Sequence, residues 1–223
     1  MLKYNFQSRI FVYVTHLRFF MRDKFHWYDG WFYDNVIAPN QDKTFRIMQA
    51  MMDKNSTVVD VGCGTGRFVF QSAERFNSVV GVDLSSRNIK LANQILSRTN
   101  QTNISFIHGD AEDLKELLDK KFDYSTISYV IHEMPIDIRV SILKTLKVVS
   151  EEIIVGDYFV PQPSNNRGLS NKIAELLAGK DHFNNYRSFV KNGGLPRLAE
   201  DAGLSIVQQN KGVHGTSLIV KIK

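Results

Sequence analysis

Short apolar runs along this chain alternate with longer stretches in which apolar residues return every three or four positions. The runs are TVVDV (57–61), SVVGVDL (78–84), ISFIHGD (104–110), FDYSTISYVI (122–131) and EIIVGDYFV (152–160). Their density of apolar and β-branched residues predicts strands buried on both faces. Between them, RFVFQSAERF following Gly66, SSRNIKLANQILSR (85–98) and AEDLKELLD read as helices. Ser85 supplies a cap for the second of these. Ile138, Ile142, Leu146 and Val149 mark the stripe of a further helix. Strands alternating with helices predict a parallel sheet covered on both faces, an α/β fold. The terminal LSIVQQNKGVHGTSLIVKIK holds two strands around a glycine-containing turn, so an antiparallel strand is expected to close the sheet.

Two segments break the alternation, residues 1–45 and 161–203. The second carries helical patterns such as NKIAELLAG. No linker or repeat divides the 223 residues. The expected organisation is one domain: an N-terminal lid segment (1–45), a core (46–160), a helical insertion (161–203) and terminal strands (204–223). In the first segment Phe6, Ile10, Tyr13, Leu17 and Phe20 fall on one helical stripe, with Arg9, Arg18 and Arg22 among them. Such a helix packs on the domain or covers its pocket; a peripheral membrane contact is the sharper reading. No run of about 18 apolar residues predicts a membrane-spanning helix, and the N-terminus lacks the order of a signal peptide. The single cysteine, Cys63, forms no intrachain disulfide, which is compatible with a cytoplasmic setting. The net charge of +5 permits an anionic partner. The basic residues are spread along the chain, however, which argues against a nucleic-acid surface.

The candidate chemistry begins at VVDVGCGTGRF (58–68), where Gly62, Gly64 and Gly66 alternate behind Asp60. Glycines between a strand and a helix let a ligand approach the backbone, at the carboxyl edge where such sheets bind nucleotides. The dinucleotide fingerprint needs its third glycine three residues after the second, and Arg67 occupies that position here. The phosphate loop G-x-x-x-x-G-K-[ST] is absent as well.

The spacing D-x-G-x-G-x-G resembles motif I of class I S-adenosylmethionine-dependent methyltransferases, and the resemblance extends over residues 57–160. It implies a Rossmann-like, doubly wound, seven-stranded, mostly parallel sheet with the last strand antiparallel, and S-adenosylmethionine as cofactor. Asp60, Gly62, Cys63, Gly64 and Gly66 would form the cofactor loop, Cys63 as a small filler. Asp83, followed by Leu84, would accept from the ribose hydroxyls, as a carboxylate can. Asp110 would face the adenine amino group and the Ala111 N–H a ring nitrogen. The end of the fourth strand near Ser128 would meet the amino-acid end of the cofactor. WYDGWFYD (27–34) resembles an element of ubiquinone- and menaquinone-biosynthesis methyltransferases whose tyrosine folds over the cofactor's methionine end. Tyr28 and Tyr33 both fit that part, and either also fits simple packing.

A methyl group on a sulfonium is electrophilic, so transfer is an in-line displacement that depends on orientation and exclusion of water. A base is needed only if the nucleophile arrives protonated. His132, in SYVIHEMP, is the candidate base; a packing or capping role is the plainer alternative. Glu133 beside it orients the ring or faces water. The [N/D]-P-P-[Y/F/W] element of amino-methylating DNA enzymes is missing after the fourth strand. Cytosine-C5 chemistry would need a cysteine outside the glycine loop. In the insertion, His182, Phe183, Tyr186 and Arg187 fall at helical spacing and are candidates to meet the acceptor, with Arg187 suited to a carboxylate or phosphate. The expectation is methyl transfer to a small or lipid-like molecule; an RNA or protein methyltransferase and a non-catalytic cofactor-binding module remain alternatives.

Overall fold

The computed structural model describes residues 38–212 and 215–223. Tyr28, Tyr33 and the N-terminal stripe lie outside the described residues. Seven strands form one sheet: β1 (Thr57–Val61), β2 (Ser78–Asp83), β3 (Ile104–His108), β4 (Phe122–Ser128), β5 (Ser150–Tyr158), β6 (Ile206–Lys211) and β7 (Ser217–Ile222). Their spatial order is β3-β2-β1-β4-β5-β7-β6. The first five strands pair in parallel. β7 inserts antiparallel between β5 and β6, as the terminal glycine turn predicts. The sheet is the mostly parallel, Rossmann-like one expected from the sequence.

β1 is central, so both of its faces are covered and its residues alternate between two cores. Val59 and Val61 pack with Ile142, Leu143 and Leu146 of α5 (Ile136–Val149). Val58 joins Met48 and Phe68 on the opposite face, from α1 (Ala38–Ala50) and α2 (Arg67–Ser72). α3 (Ser86–Leu96) is capped as expected, the Ser85 side chain accepting from Asn88 N–H. The insertion builds α6 (Asn166–Leu177), α7 (Lys180–Lys191) and α8 (Gly194–Asp201).

Several boundaries differ from the sequence pattern for identifiable reasons. α2 ends at Ser72 rather than running to Phe76. Its freed carbonyls at Ala73 and Phe76 are taken by the Asn103 side chain at 2.7 and 2.9 Å, which replaces the hydrogen bonds a longer helix would make. β4 stops at Ser128 because Tyr129 adopts a positive φ of 55°, after which Ile131–Glu133 form a 3-10 turn. AEDLKELLD splits into a 3-10 turn over Ala111–Asp113 and the single-turn α4 (Leu114–Leu117). β5 begins two residues early, at Ser150, whose buried hydroxyl bonds to Ser125 on β4 at 2.8 Å.

The β1–α2 turn depends on Gly66, which sits at φ 87° with the Phe106 ring 2.5 Å from where a Cβ would lie. Gly66→Ala is therefore expected to lower the unfolding free energy by about 1–3 kcal/mol through backbone strain and crowding. Urea denaturation measures this, and an unchanged midpoint would contradict the packing described here.

Candidate active site

The strand order reverses between β1 and β4, leaving a crevice at the carboxyl ends of the strands. The glycine loop closes its floor, with positive φ at Gly62, Gly64 and Gly66. A Cβ on Gly64 would meet nothing within 4 Å, so open space lies over the middle of the loop. The Asp83 carboxylate at the end of β2 accepts from Gly64 N–H at 2.7 Å and from Ser85 N–H at 2.9 Å. One side chain thus fixes both the loop and the turn after β2. Leu84 is half-buried, its carbonyl 3.0 Å from His108 Nε2. Asp110 caps the turn after β3 by accepting from Glu112 N–H at 3.0 Å, and Ala111 begins that turn. Gln41, Phe45, Asp60, Gly62, Gly64 and Ser128 all line the cleft between loop and α1.

Arg67, the residue that breaks the dinucleotide spacing, grips Asp42 of α1 through Nε at 2.7 Å and Nη2 at 2.9 Å. This paired contact ties α1 to the start of α2. Cys63 is buried, and burial followed by the nearby Asp83 and Asp60 charges raises its thiol pKa well above the usual value. It stays an un-ionised filler of the loop.

Asp60 is 2% exposed and accepts from the Thr126 hydroxyl at 2.6 Å. Burial pushes its pKa to about 7, against the lowering effect of the Thr126 bond. In the unfolded chain the same carboxyl would titrate near 3.8. The folded protein therefore binds more protons between those two values, and stability from this group falls as pH rises across that window.

A second polar centre lies where β4 and β5 meet the insertion. His132 is 2% exposed, and its Nδ1 lies 2.7 Å from Oδ1 of Asp157, which is fully buried on β5. The His132 backbone N–H donates to Asp157 Oδ2 at 3.1 Å. Across the ring stand Glu175 of α6, with Oε1 at 3.5 Å from His132 Nε2, and His182 of α7, with Nε2 at 2.7 Å from Glu175 Oε2. Tyr158 donates to Glu175 Oε1 at 2.7 Å. Burial works against charge on Glu175, yet hydrogen bonding and the two imidazoles hold its carboxyl well below the usual range. Glu133, half-buried at the rim, lies 3.8 Å from His132 Nε2 and 3.6 Å from His182 Nε2. Arg139 on α5, also 2% exposed, braces the turn carrying His132 by donating to the carbonyls of Ile131, Met134 and Asn185.

Among the insertion candidates, His182 and Tyr186 join this centre, Tyr186 lying with its ring 5.4 Å from that of Tyr158. Phe183 stacks beside Tyr186 at 6.4 Å. Arg187 is exposed, its guanidinium 5.9 Å over the Phe183 ring. The sequence pattern singled out neither Asp157, Glu175 nor Arg139. An acid inside an apolar run (VGDYFV) was the available signal for Asp157; Glu175 and Arg139 sit in ordinary amphipathic helices and carry none.

The family described as "Methyltransferase domain" matches residues 52–156, the stretch that builds the glycine loop and β1 to β5. A demethylmenaquinone methyltransferase from Listeria monocytogenes serotype 4a is 30% identical over 96 residues, covering 42% of this chain and 39% of that protein. The chain thus spans about two fifths of the length of that relative. Magnesium protoporphyrin IX methyltransferase from Synechocystis PCC 6803, solved with bound SAH, has the same fold at a TM-score of 0.61 and 19% identity, covering 96% of this chain and 97% of that one. Mitomycin 7-O-methyltransferase matches at a TM-score of 0.63 and 19% identity, covering 83% of this chain and 54% of that one. Residues 52–156 thus match the methyltransferase-domain family, and the sheet has the fold of solved S-adenosylmethionine-dependent methyltransferases. Among the described residues no helix is long and apolar enough to cross a membrane.

The buried state of Asp60 gives a test independent of any ligand. Asp60→Asn is expected to gain stability over the wild type progressively from about pH 4 to about pH 7 and to level off above, since only the wild type must ionise a buried carboxyl there. Denaturation midpoints at each pH measure it; a difference that stays constant with pH would contradict the raised pKa.

Proposed function

We propose that this chain transfers the methyl group of S-adenosylmethionine to a small-molecule acceptor. The observation that carries this reading is the row of groups along the carboxyl edge: open space over Gly64, Asp83 beside it and Asp110 one strand further. A nucleoside laid along that row would place its ribose hydroxyls on Asp83, its adenine amino group on Asp110 and a ring nitrogen on the Ala111 N–H. The methionine end would lie in the cleft lined by Asp60, Gly62 and Ser128, where an ammonium group favours the ionised form of Asp60. Within the single domain, residues 46–160 hold the cofactor and the insertion faces the acceptor.

Support for a small acceptor comes from the printed activities of the similar proteins, on demethylmenaquinone and mitomycin. In this reading His182, Phe183 and Tyr186 border the acceptor and Arg187 lies at the rim, positioned for an acidic group. His132 serves the acceptor side as part of its buried cluster rather than as a free base, because its side chain is only 3% exposed.

Calorimetry with S-adenosylmethionine, S-adenosylhomocysteine and NAD tests the cofactor. The first two are expected to bind and NAD to fail. Asp83→Ala should weaken binding about tenfold or more, each hydrogen bond to a charged group being worth about 1.5–3 kcal/mol. Comparable heat from NAD, or normal cofactor binding by a folded Asp83→Ala protein, would overturn the assignment. With methyl-labelled cofactor and cell extract, label is expected in the low-molecular-mass fraction; label in RNA or protein would overturn the acceptor class.

A further inference from the structure

The cluster around His132 has a feature that an ordinary buried ion network lacks. His132 Nε2 is enclosed and has no hydrogen-bond partner. The opposite nitrogen, Nδ1, is held by Asp157 at 2.7 Å. A carboxylate in that position keeps a proton on Nδ1, so Nε2 is the nitrogen that would give up its proton to offer a lone pair to a metal ion. That lone pair points toward the one place where Glu175 and His182 converge. Nε2 of His132, Nε2 of His182 and a carboxylate oxygen of Glu175 all lie within 4.8 Å of one another.

We infer that His132, His182 and Glu175 form a binding site for a divalent transition-metal ion, with Glu133 at its open side. Imidazole nitrogen with carboxylate oxygen is the donor set that zinc and its neighbours accept. A tetrahedral ion with bonds of about 2.0–2.2 Å holds its ligand atoms roughly 3.3–3.6 Å apart. The separation of His132 Nε2 from Glu175 Oε1 is 3.5 Å. Glu133 Oε1 stands 3.8 Å from His132 Nε2 and 3.6 Å from His182 Nε2, as a fourth ligand would. Only the His182–Glu175 pair is closer, at 2.7 Å, and it must open by under an ångström to admit an ion.

The surroundings fit the same purpose. Asp157 orients His132, and the Tyr158 hydroxyl fixes Glu175, the outer-shell arrangement that metal ligands require. The 3-10 turn carrying His132 and Glu133 is braced by Arg139 from below and by the Asn185 side chain, which donates to the Glu133 carbonyl at 2.7 Å. An entry path exists on one side, where the His182 side chain is 10% and that of Glu133 34% exposed. The ligands come from the 3-10 turn that follows β4 and from two helices of the insertion, so bound metal would also tie α6 and α7 to that turn. The site does not depend on methyl transfer being the activity.

Equilibrium dialysis of the full chain against Zn2+, and titration with Co2+ followed by visible absorption, test the site. The expected result is one ion per chain and a Co2+ spectrum of four- or five-coordinate nitrogen and oxygen ligation. His182→Ala and Glu175→Gln, checked for folding by circular dichroism, should each weaken binding by at least the roughly 100-fold that losing an outer-shell partner can cost. A wild-type protein that takes up no stoichiometric metal, or folded variants that bind as the wild type does, would overturn the site. Should both variants unfold, the wild-type Co2+ spectrum decides: the weak bands of the hydrated ion would overturn it.

Discussion

The hydrogen bond from Gly64 N–H to the Asp83 carboxylate is the contact around which the cleft is organised. Gly64 belongs to a loop whose three glycines adopt positive φ, and its restraints come from β2, where the Val82 carbonyl accepts from Gly62 and Cys63 N–H at 2.8 and 3.1 Å. Asp83 supplies another from the same strand, at 2.7 Å, while its second oxygen fixes the turn into α3. The reversal of strand order beside β1 keeps the edge open above this contact. Arg67 then pins α1 alongside through Asp42. Strand order, loop and first helix are in this way referred to one small region, which Asp60, Gly62 and Ser128 line.

The second polar centre is separated from the first by little more than the end of β4. Ser128 lines the cleft, and His132 follows after a turn that Tyr129 enters with positive φ. The Tyr129 hydroxyl reaches Thr44 of α1 at 3.0 Å, while its ring lies 6.0 Å from that of Tyr158. Tyr158 in turn bonds to Glu175. The helix before β1 and the insertion after β5 are therefore linked across the carboxyl edge by two tyrosines. Burying several carboxylates and two imidazoles together is expensive unless each charge is answered. Asp157 answers His132, and His182 with the Tyr158 hydroxyl answers Glu175, while His132 Nε2 makes no hydrogen bond of its own.

The parallel sheet was legible in the sequence because buried parallel strands are near-continuous apolar runs, as TVVDV and EIIVGDYFV show. The turns that end them were less so: β4 reads as continuing through YVI, and only the backbone at Tyr129 stops it. The glycine loop with Asp83 and Asp110 was visible as a motif because its parts recur at strand ends. His132 was visible as a candidate, but its setting was not. Asp157, Glu175 and His182 reach it from 25 to 50 residues away, and no local spacing encodes contacts across separate elements. Arg139 hid inside an apolar helical stripe, where a charged residue reads as solvent-facing until its carbonyl partners are seen. His182 and Arg187 looked equivalent by helical spacing, yet one turns into the cluster and the other lies on the surface.

The central claim is that the carboxyl edge of β1 to β4 holds a nucleoside cofactor. The most direct measurement is a crystal structure of the full chain with S-adenosylhomocysteine. The account predicts both ribose hydroxyls within hydrogen-bond distance of the Asp83 carboxylate, the adenine amino group against Asp110, and the glycine loop in place beneath the amino-acid end. A ligand bound elsewhere on the chain, or lying on this edge with its ribose away from Asp83, would contradict it.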